Sequence, residues 1–338
     1  MRRIKIIFAF LTFLSLPGFA QSTSTSPAPA LAASAPLDAV TPTSAIVSPS
    51  SGLKQDESGL LSYVDFGGST NSSGHIMQLG FSLGYQFNEH ISVDAHVPFY
   101  FVSATTTGTG GTGITQQTTV TDRGIGDPSF TLLLRFPSRI LDYKTGVTTW
   151  VPVANISSGF TTGSVLVDWT NRFSRPFGRF LPFGQVDIAN TVPDTPLFLL
   201  PYTAQGFNMR FEGGTKVALT KVFRAGASLY YVLPSGQQHL YSREVHDSGS
   251  GTGGMGGGMG GSGHQGQSGG NSDGWMTEHL TVGNDLTRDH GFSTWLTANL
   301  PHFVDLQIGF TRSYGYDLNT VSFGIGFDPL EALRHRHE

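Results

Sequence analysis

The sequence predicts an all-β protein, a transmembrane antiparallel up-and-down β-barrel of twelve strands, with fourteen as the alternative. Three observations carry this expectation. Long segments alternate apolar and polar residues at every second position. Beyond the N-terminal leader, no run approaches the ~20 apolar residues that a membrane helix needs. The connections between segments alternate between short and long.

The leader combines Arg2, Arg3 and Lys5 with an apolar run from Ile6 to Leu16, the helix-breaking Pro17 and the small-residue site Gly18-Phe19-Ala20. These are the parts of a secretory signal peptide over residues 1–20, too short and wrongly flanked for a stable span. Its removal takes three positive charges from a net charge of −4, leaving −7. Such a weakly acidic chain has no electrostatic footprint for nucleic acid. Cysteine is absent, which excludes a disulfide scaffold and a thiolate metal site. Charged residues make up only 13%, against 44 Gly and 25 Phe, the balance expected where an outer face meets lipid and strands meet Gly-rich turns. Residues 21–55 are rich in Ser, Thr, Pro and Ala and bury too little apolar surface to offset the entropy of ordering them. They read as a disordered periplasmic segment, either a linker or a segment entering the barrel from below.

The alternation begins in earnest at Met77, Leu79, Phe81, Leu83, Tyr85 and Phe87, with Gln78, Gly80, Ser82, Gly84 and Gln86 opposite. After Asn88-Glu89 it resumes in Ile91, Val93, Ala95, Val97, Phe99 and Phe101, against His90, Ser92, Asp94 and His96. It returns in Phe207, Met209 and Phe211 against Asn208, Arg210, Glu212 and Lys216, and in Val304, Leu306, Ile308 and Phe310 against Asp305, Gln307 and Thr311. Successive side chains of a strand point to opposite faces, so each segment has one oily and one polar wall. A soluble sandwich alternates in the same way. Segments of about ten residues, long enough to cross hydrocarbon at a tilt, favour the barrel. So does a polar wall of small and oppositely charged residues, which suits a curved interior.

Short links follow Phe87, Phe136, Phe173 and Leu219, and long ones run over Ser103 to Thr121, Ser157 to Ser164, Val192 to Gly206 and Pro234 to Gly274. These match periplasmic turns and extracellular loops, which places the protein in the outer membrane with both termini periplasmic. The barrel spans 60–328, interrupted by a Gly-rich flexible extracellular loop at 247–274 and followed by a tail at 329–338. Thirteen segments qualify as strands, whereas bacterial single-chain barrels have an even number. Either Leu60 to Gly67 is not a full wall strand, giving twelve, or a strand lies near Gln238 to His246, giving fourteen. The last segment presents Val321, Phe323, Ile325 and Phe327 as a signal for the outer-membrane assembly machinery, although Asp328 to Glu338 follow it. The lipid bilayer is the other partner the pattern requires.

Gly124-Ile125-Gly126-Asp127-Pro128 and Gly159-Phe160-Thr161-Thr162-Gly163 resemble motifs of the outer-membrane barrels grouped as the MetA-pathway of phenol degradation, or transporter-like, family. The resemblance covers about Leu60 to Phe327 and rests on short, Gly-based motifs. It implies a channel or carrier for small solutes, including small aromatic or apolar compounds, and it brings no catalytic motif. The other functional class is a non-transport surface barrel that adheres through long Thr- and Gly-rich loops.

Parity on the polar wall selects the candidates to line a lumen: Asp94, His96, Asp127 and Arg135, then Asp168, Arg172 and Asp187, then Arg210, Glu212 and Lys216, and finally His279 and Asp305. Asp127 with Arg135, or Arg210 with Glu212 and Lys216, would make a charged constriction, or else a salt-bridged packing without selectivity. His90 and Ser92 share a face, yet nucleophilic catalysis also needs an orienting group and an oxyanion hole, so the chain is not read as an enzyme. From Gly249 to Gly274, 14 of 26 residues are glycine, interspersed with Met255, Met259 and His264. Their spacing fixes no metal geometry, nor does that of the terminal Arg334-His335-Arg336-His337. No cofactor or metal is expected.

Overall fold

The computed structural model describes residues 58–72, 74–109, 115–138, 140–154, 160–193, 202–245, 275–282, 288–300 and 304–329. For 104–109, 115–118, 120, 192–193, 202–205, 239–245 and 275–282 that description is of the backbone alone. The leader, the 21–55 segment, the 247–274 loop and residues 330–338 of the tail lie outside it.

Among the described residues, fourteen strands follow one another along the chain. The first half comprises β1 (Gly59–Asn71), β2 (Gly74–Gln86), β3 (Ile91–Thr109), β4 (Thr115–Ile125), β5 (Ser129–Phe136), β6 (Asp142–Trp150) and β7 (Leu166–Ser174). The second comprises β8 (Phe180–Pro193), β9 (Tyr202–Ala218), β10 (Phe223–Val245), β11 (Trp275–Val282), β12 (Asp289–Leu300), β13 (Val304–Ser313) and β14 (Leu318–Phe327). Every pairing is antiparallel, and twelve of the strands close on themselves: β14 joins β1 (Val64↔Phe327 to Thr70↔Val321) and β9 joins β10 (Arg224↔Ala218 onward). β4 pairs with the outer half of β3, while β5 takes the inner half. β11 pairs with the outer end of β10, while β12 takes the inner half. Both therefore prolong hairpins beyond the closed wall.

This topology corrects the strand assignment. β1 is a full wall strand of 13 residues, continuing through Gly67 to Asn71, and it closes the barrel. The segment near Gln238 to His246 is no separate strand, because through Val245 it continues β10. The surplus among the thirteen segments is the one beginning at Trp275, which becomes β11 on that extension. Part of the Ser103 to Thr121 link is likewise strand, split between β3 and β4.

Burial is inverted relative to a soluble fold. Phe81 is 51% exposed, Leu83 57%, Phe130 55% and Leu229 69%, whereas Gln86 is 1% and Glu212 4%. The apolar face points outward and the polar face inward around the whole wall. A sleeve of this kind is at home in lipid, where an open sheet edge would leave unpaired backbone groups and only a closed sheet spans. One cluster of polar atoms on the outer face is satisfied within itself. Asn171 Oδ1 accepts from Tyr143 Oη at 2.7 Å and Thr145 Oγ1 at 3.0 Å, and Trp169 Nε1 donates to Thr145 Oγ1 at 2.9 Å.

Aromatic rows mark both rims. At one, His90, Phe136, Tyr143 and Phe173 stack in succession, with centroids 6.4, 5.7 and 4.9 Å apart. At the other, His290 stands between Tyr231 (5.8 Å) and Tyr314 (5.6 Å). Amphipathic rings collect where hydrocarbon gives way to headgroups.

The short links are built by side chains that replace missing backbone partners. Asn88 Oδ1 accepts from His90 N and Ile91 N, Ser138 Oγ from Ile140 N and Leu141 N, and Thr220 Oγ1 from Val222 N and Phe223 N. Gly178 (φ 60°) opens the two-residue turn between Phe177 and Phe180, a position requiring left-handed backbone. β1 begins and β14 ends at this same rim. The opposite rim also has short links, Asn71 to Gly74 and Tyr314 to Asp317, so loop lengths sort the rims less strictly than the sequence suggests.

Candidate functional site: a polar, loop-constricted lumen

One wall position is broken, and the break organises the lumen. Between β4 and β5 the chain passes through Gly126-Asp127-Pro128, where Pro128 has no N–H for the ladder. The Asp127 carboxylate is fully buried there. Its Oδ1 accepts from Val153 N (3.0 Å) and Ala154 N (3.4 Å), and its Oδ2 from Thr161 Oγ1 (2.6 Å). Those partners belong to the β6–β7 connection, which is drawn against the inner face. Phe160, at 0% exposure, stacks on Tyr100 of β3 at 5.6 Å. A Cβ at Gly124 would sit 2.9 Å from the Phe160 ring, so the close approach requires glycine. The two glycine motifs, over thirty residues apart, thus form one latch. The expected pairing of Asp127 with Arg135 is not made, because the Asp127 hydrogen bonds go to this loop. Within this loop, read from its length as extracellular, Phe160, Thr161 and Thr162 are buried against the wall.

On β7 to β9 the register assembles a charged network. Arg210 Nη2 donates to Glu212 Oε2 at 2.8 Å, with the Glu212 side chain at 0% exposure. Arg172 reaches Gln185 Oε1 at 3.2 Å, lies 4.0 Å over the Phe183 ring, and feels both Glu212 and Asp187. Asp187 takes two bonds from Gln185 Nε2 at 3.0 Å, and Asp168 stands beside Asp187 and Arg210. Lys216 is buried on the same face of β9. Tyr230 carries the network onward: the Arg210 guanidinium lies 5.3 Å over its ring, and its hydroxyl donates to Asp289 Oδ2 at 2.9 Å. Asp289 Oδ1 then accepts from Ser313 Oγ (2.6 Å) and Gly315 N (3.1 Å).

A second cluster lies on β1 to β5. His96 engages Ser82 Oγ at 2.9 Å and Gln78 Nε2 at 3.1 Å, and with Asp65 it closes over Gly80. Asp94 faces Thr131 and the Arg135 guanidinium. Asp305, on β13, accepts from Asn299 Nδ2 at 2.6 Å. His279 falls on β11, opposite Tyr241 on the extension beyond the wall, and its side chain lies outside the described residues.

Parity missed several members. Asp65 lies on the strand whose place in the wall the alternation leaves open, and Asp289 and Lys144 sit at or near the ends of their strands, β12 and β6, where alternation is short. Among the described residues no group of three His, Cys, Asp or Glu is placed to hold a metal ion.

No family model and no curated protein matches the chain. Solved structures that align with it include the KdgM porin and the NanC porin. Each has 8% identity and a TM-score of 0.42, covering 78% of this chain and 98% of its own. The COG4313 outer membrane channel from Pseudomonas putida F1 aligns at 11% identity and a TM-score of 0.47, covering 82% of this chain and 97% of its own. At these identities nothing about cargo passes from those proteins to this chain.

Proposed function

We propose that the protein is a passive outer-membrane channel for small solutes, its path narrowed by the β6–β7 loop. The supporting observation is the inverted wall: charged and hydrogen-bonding side chains face inward along a closed sheet whose exterior is apolar. Ionisable groups at membrane depth are expensive and settle where water or a solute path meets them. The Gly-motif resemblance implies small aromatic or apolar cargo, a class that the charged lining of the lumen disfavours. A surface-binding barrel is the second reading, favoured by the two hairpin extensions β3–β4 and β10–β11 that continue past the wall.

Conductance separates the two. Full-length protein refolded into planar bilayers should give discrete, ohmic current steps in salt. A correctly folded barrel that carries no current would overturn the channel and leave the surface-binding reading standing.

A further inference from the structure

The lumen divides into two halves of opposite electrostatic character. Along β5 to β10, six neighbouring wall strands, lies every inward-facing Lys or Arg of the described wall, among them Arg135, Lys144, Arg172, Arg210 and Lys216. Acids on those strands, notably Asp168, Asp187 and Glu212, offset part of that charge. The remaining six strands, β12 to β14 and β1 to β3, carry Asp289, Asp305, Asp65 and Asp94, and their single Lys or Arg is Arg312. Arg312 does not face the lumen: it alternates with the inward Thr311 and Ser313 and pairs with Asp317 at the rim. The cations are thus sorted by azimuth, while inward acids, Asp142 among them, stand on both halves and leave one half acidic without a cation.

The sorting extends to the register. Arg135 pairs directly with Lys144, and Lys144 with Arg172, so three cations stand side by side on adjacent strands. Like charges directly opposite one another destabilise a sheet, and here Asp94 beside Arg135 and Glu212 and Asp187 near Arg172 offset part of that repulsion. On the other half, Asp289 accepts from a tyrosine hydroxyl, a serine hydroxyl and a backbone amide, all uncharged donors.

We infer that opposed acidic and basic walls set a field across the lumen that selects small zwitterionic solutes. This rests on the channel reading and names its substrate class. A zwitterion aligned across the path meets complementary charge at both ends. An uncharged or apolar solute must displace field-ordered water with nothing in return. Dipolar cargo therefore replaces the aromatic or apolar cargo that the glycine motifs imply.

The test compares β-alanine with its uncharged isomer lactamide, which matches it in composition and size. Osmotic swelling of vesicles containing the refolded full chain should show β-alanine entering several-fold faster, after subtraction of protein-free vesicles. Asp65→Asn weakens the acidic wall and Lys144→Gln the basic one. Each should pull the ratio towards one in barrels whose folding is confirmed by circular dichroism. Equal entry of the two isomers into wild-type vesicles, or a ratio unmoved by both substitutions, overturns the transverse field and leaves the channel intact. No entry of either isomer through folded barrels overturns the channel itself, and the inference with it.

Discussion

At the scale of single residues, Asp127 has the most consequential placement. It is a buried carboxylate that accepts from two backbone amides and one hydroxyl, all supplied by the inward loop. Hydrogen bonds to a charged acceptor contribute about 1.5–3 kcal/mol each, so one side chain holds the loop against the entropy of release. Asp127→Ala should free the loop while the ladder of the wall remains intact. The expected result is a larger single-channel conductance with an unchanged circular-dichroism spectrum. Gly124→Ala should act in the same direction, because its Cβ would press on the Phe160 ring. An unaltered conductance in folded Asp127→Ala barrels would remove the loop from the conducting path.

At the scale of the strand, one step along the backbone exchanges lipid for lumen, and β6 offers a clean comparison. Val147 is 40% exposed on the outer face, while Thr148 points inward with Asp168 as its cross-strand neighbour. Val147→Arg sets a guanidinium in hydrocarbon at a cost of about 2–4 kcal/mol near the midplane. Thr148→Arg places the same group opposite a carboxylate and should leave folding yield close to wild type. Urea titrations of both variants in lipid vesicles measure the difference, and matching midpoints would contradict the assignment of faces. Gln78 is a poorer probe than parity suggests, since its side chain is engaged with His96.

For the whole molecule the open matter is which rim faces outward. The side-chain-closed turns, the start of β1 and the end of β14 share one rim, which we expect in the periplasm. Because the chain has no cysteine, a single introduced thiol reports on one position alone. Ser72→Cys lies in the β1–β2 link at the far rim and Arg179→Cys in the β7–β8 turn at the near one. In intact cells a membrane-impermeant maleimide should label the first and spare the second until the outer membrane is opened. The reverse pattern would turn the barrel over.

The sequence by itself determined the class of fold and the two faces of each strand. Period-2 alternation is local, and Phe81 against Ser82 reads the same whatever the neighbours. It also located Arg172, Asp187, Arg210 and Glu212 on the inward face, because parity along one strand fixes a side. What it left open depends on which strands are neighbours. The count of wall strands turned on β10 pairing with β11 above and β12 below, and both segments alternate equally well. The meeting of Asp127 with Thr161, and the row Arg135–Lys144–Arg172, exist only through cross-strand register. Register is set by closure of the ring, where every backbone donor must find its acceptor on another strand, and no single segment encodes that condition.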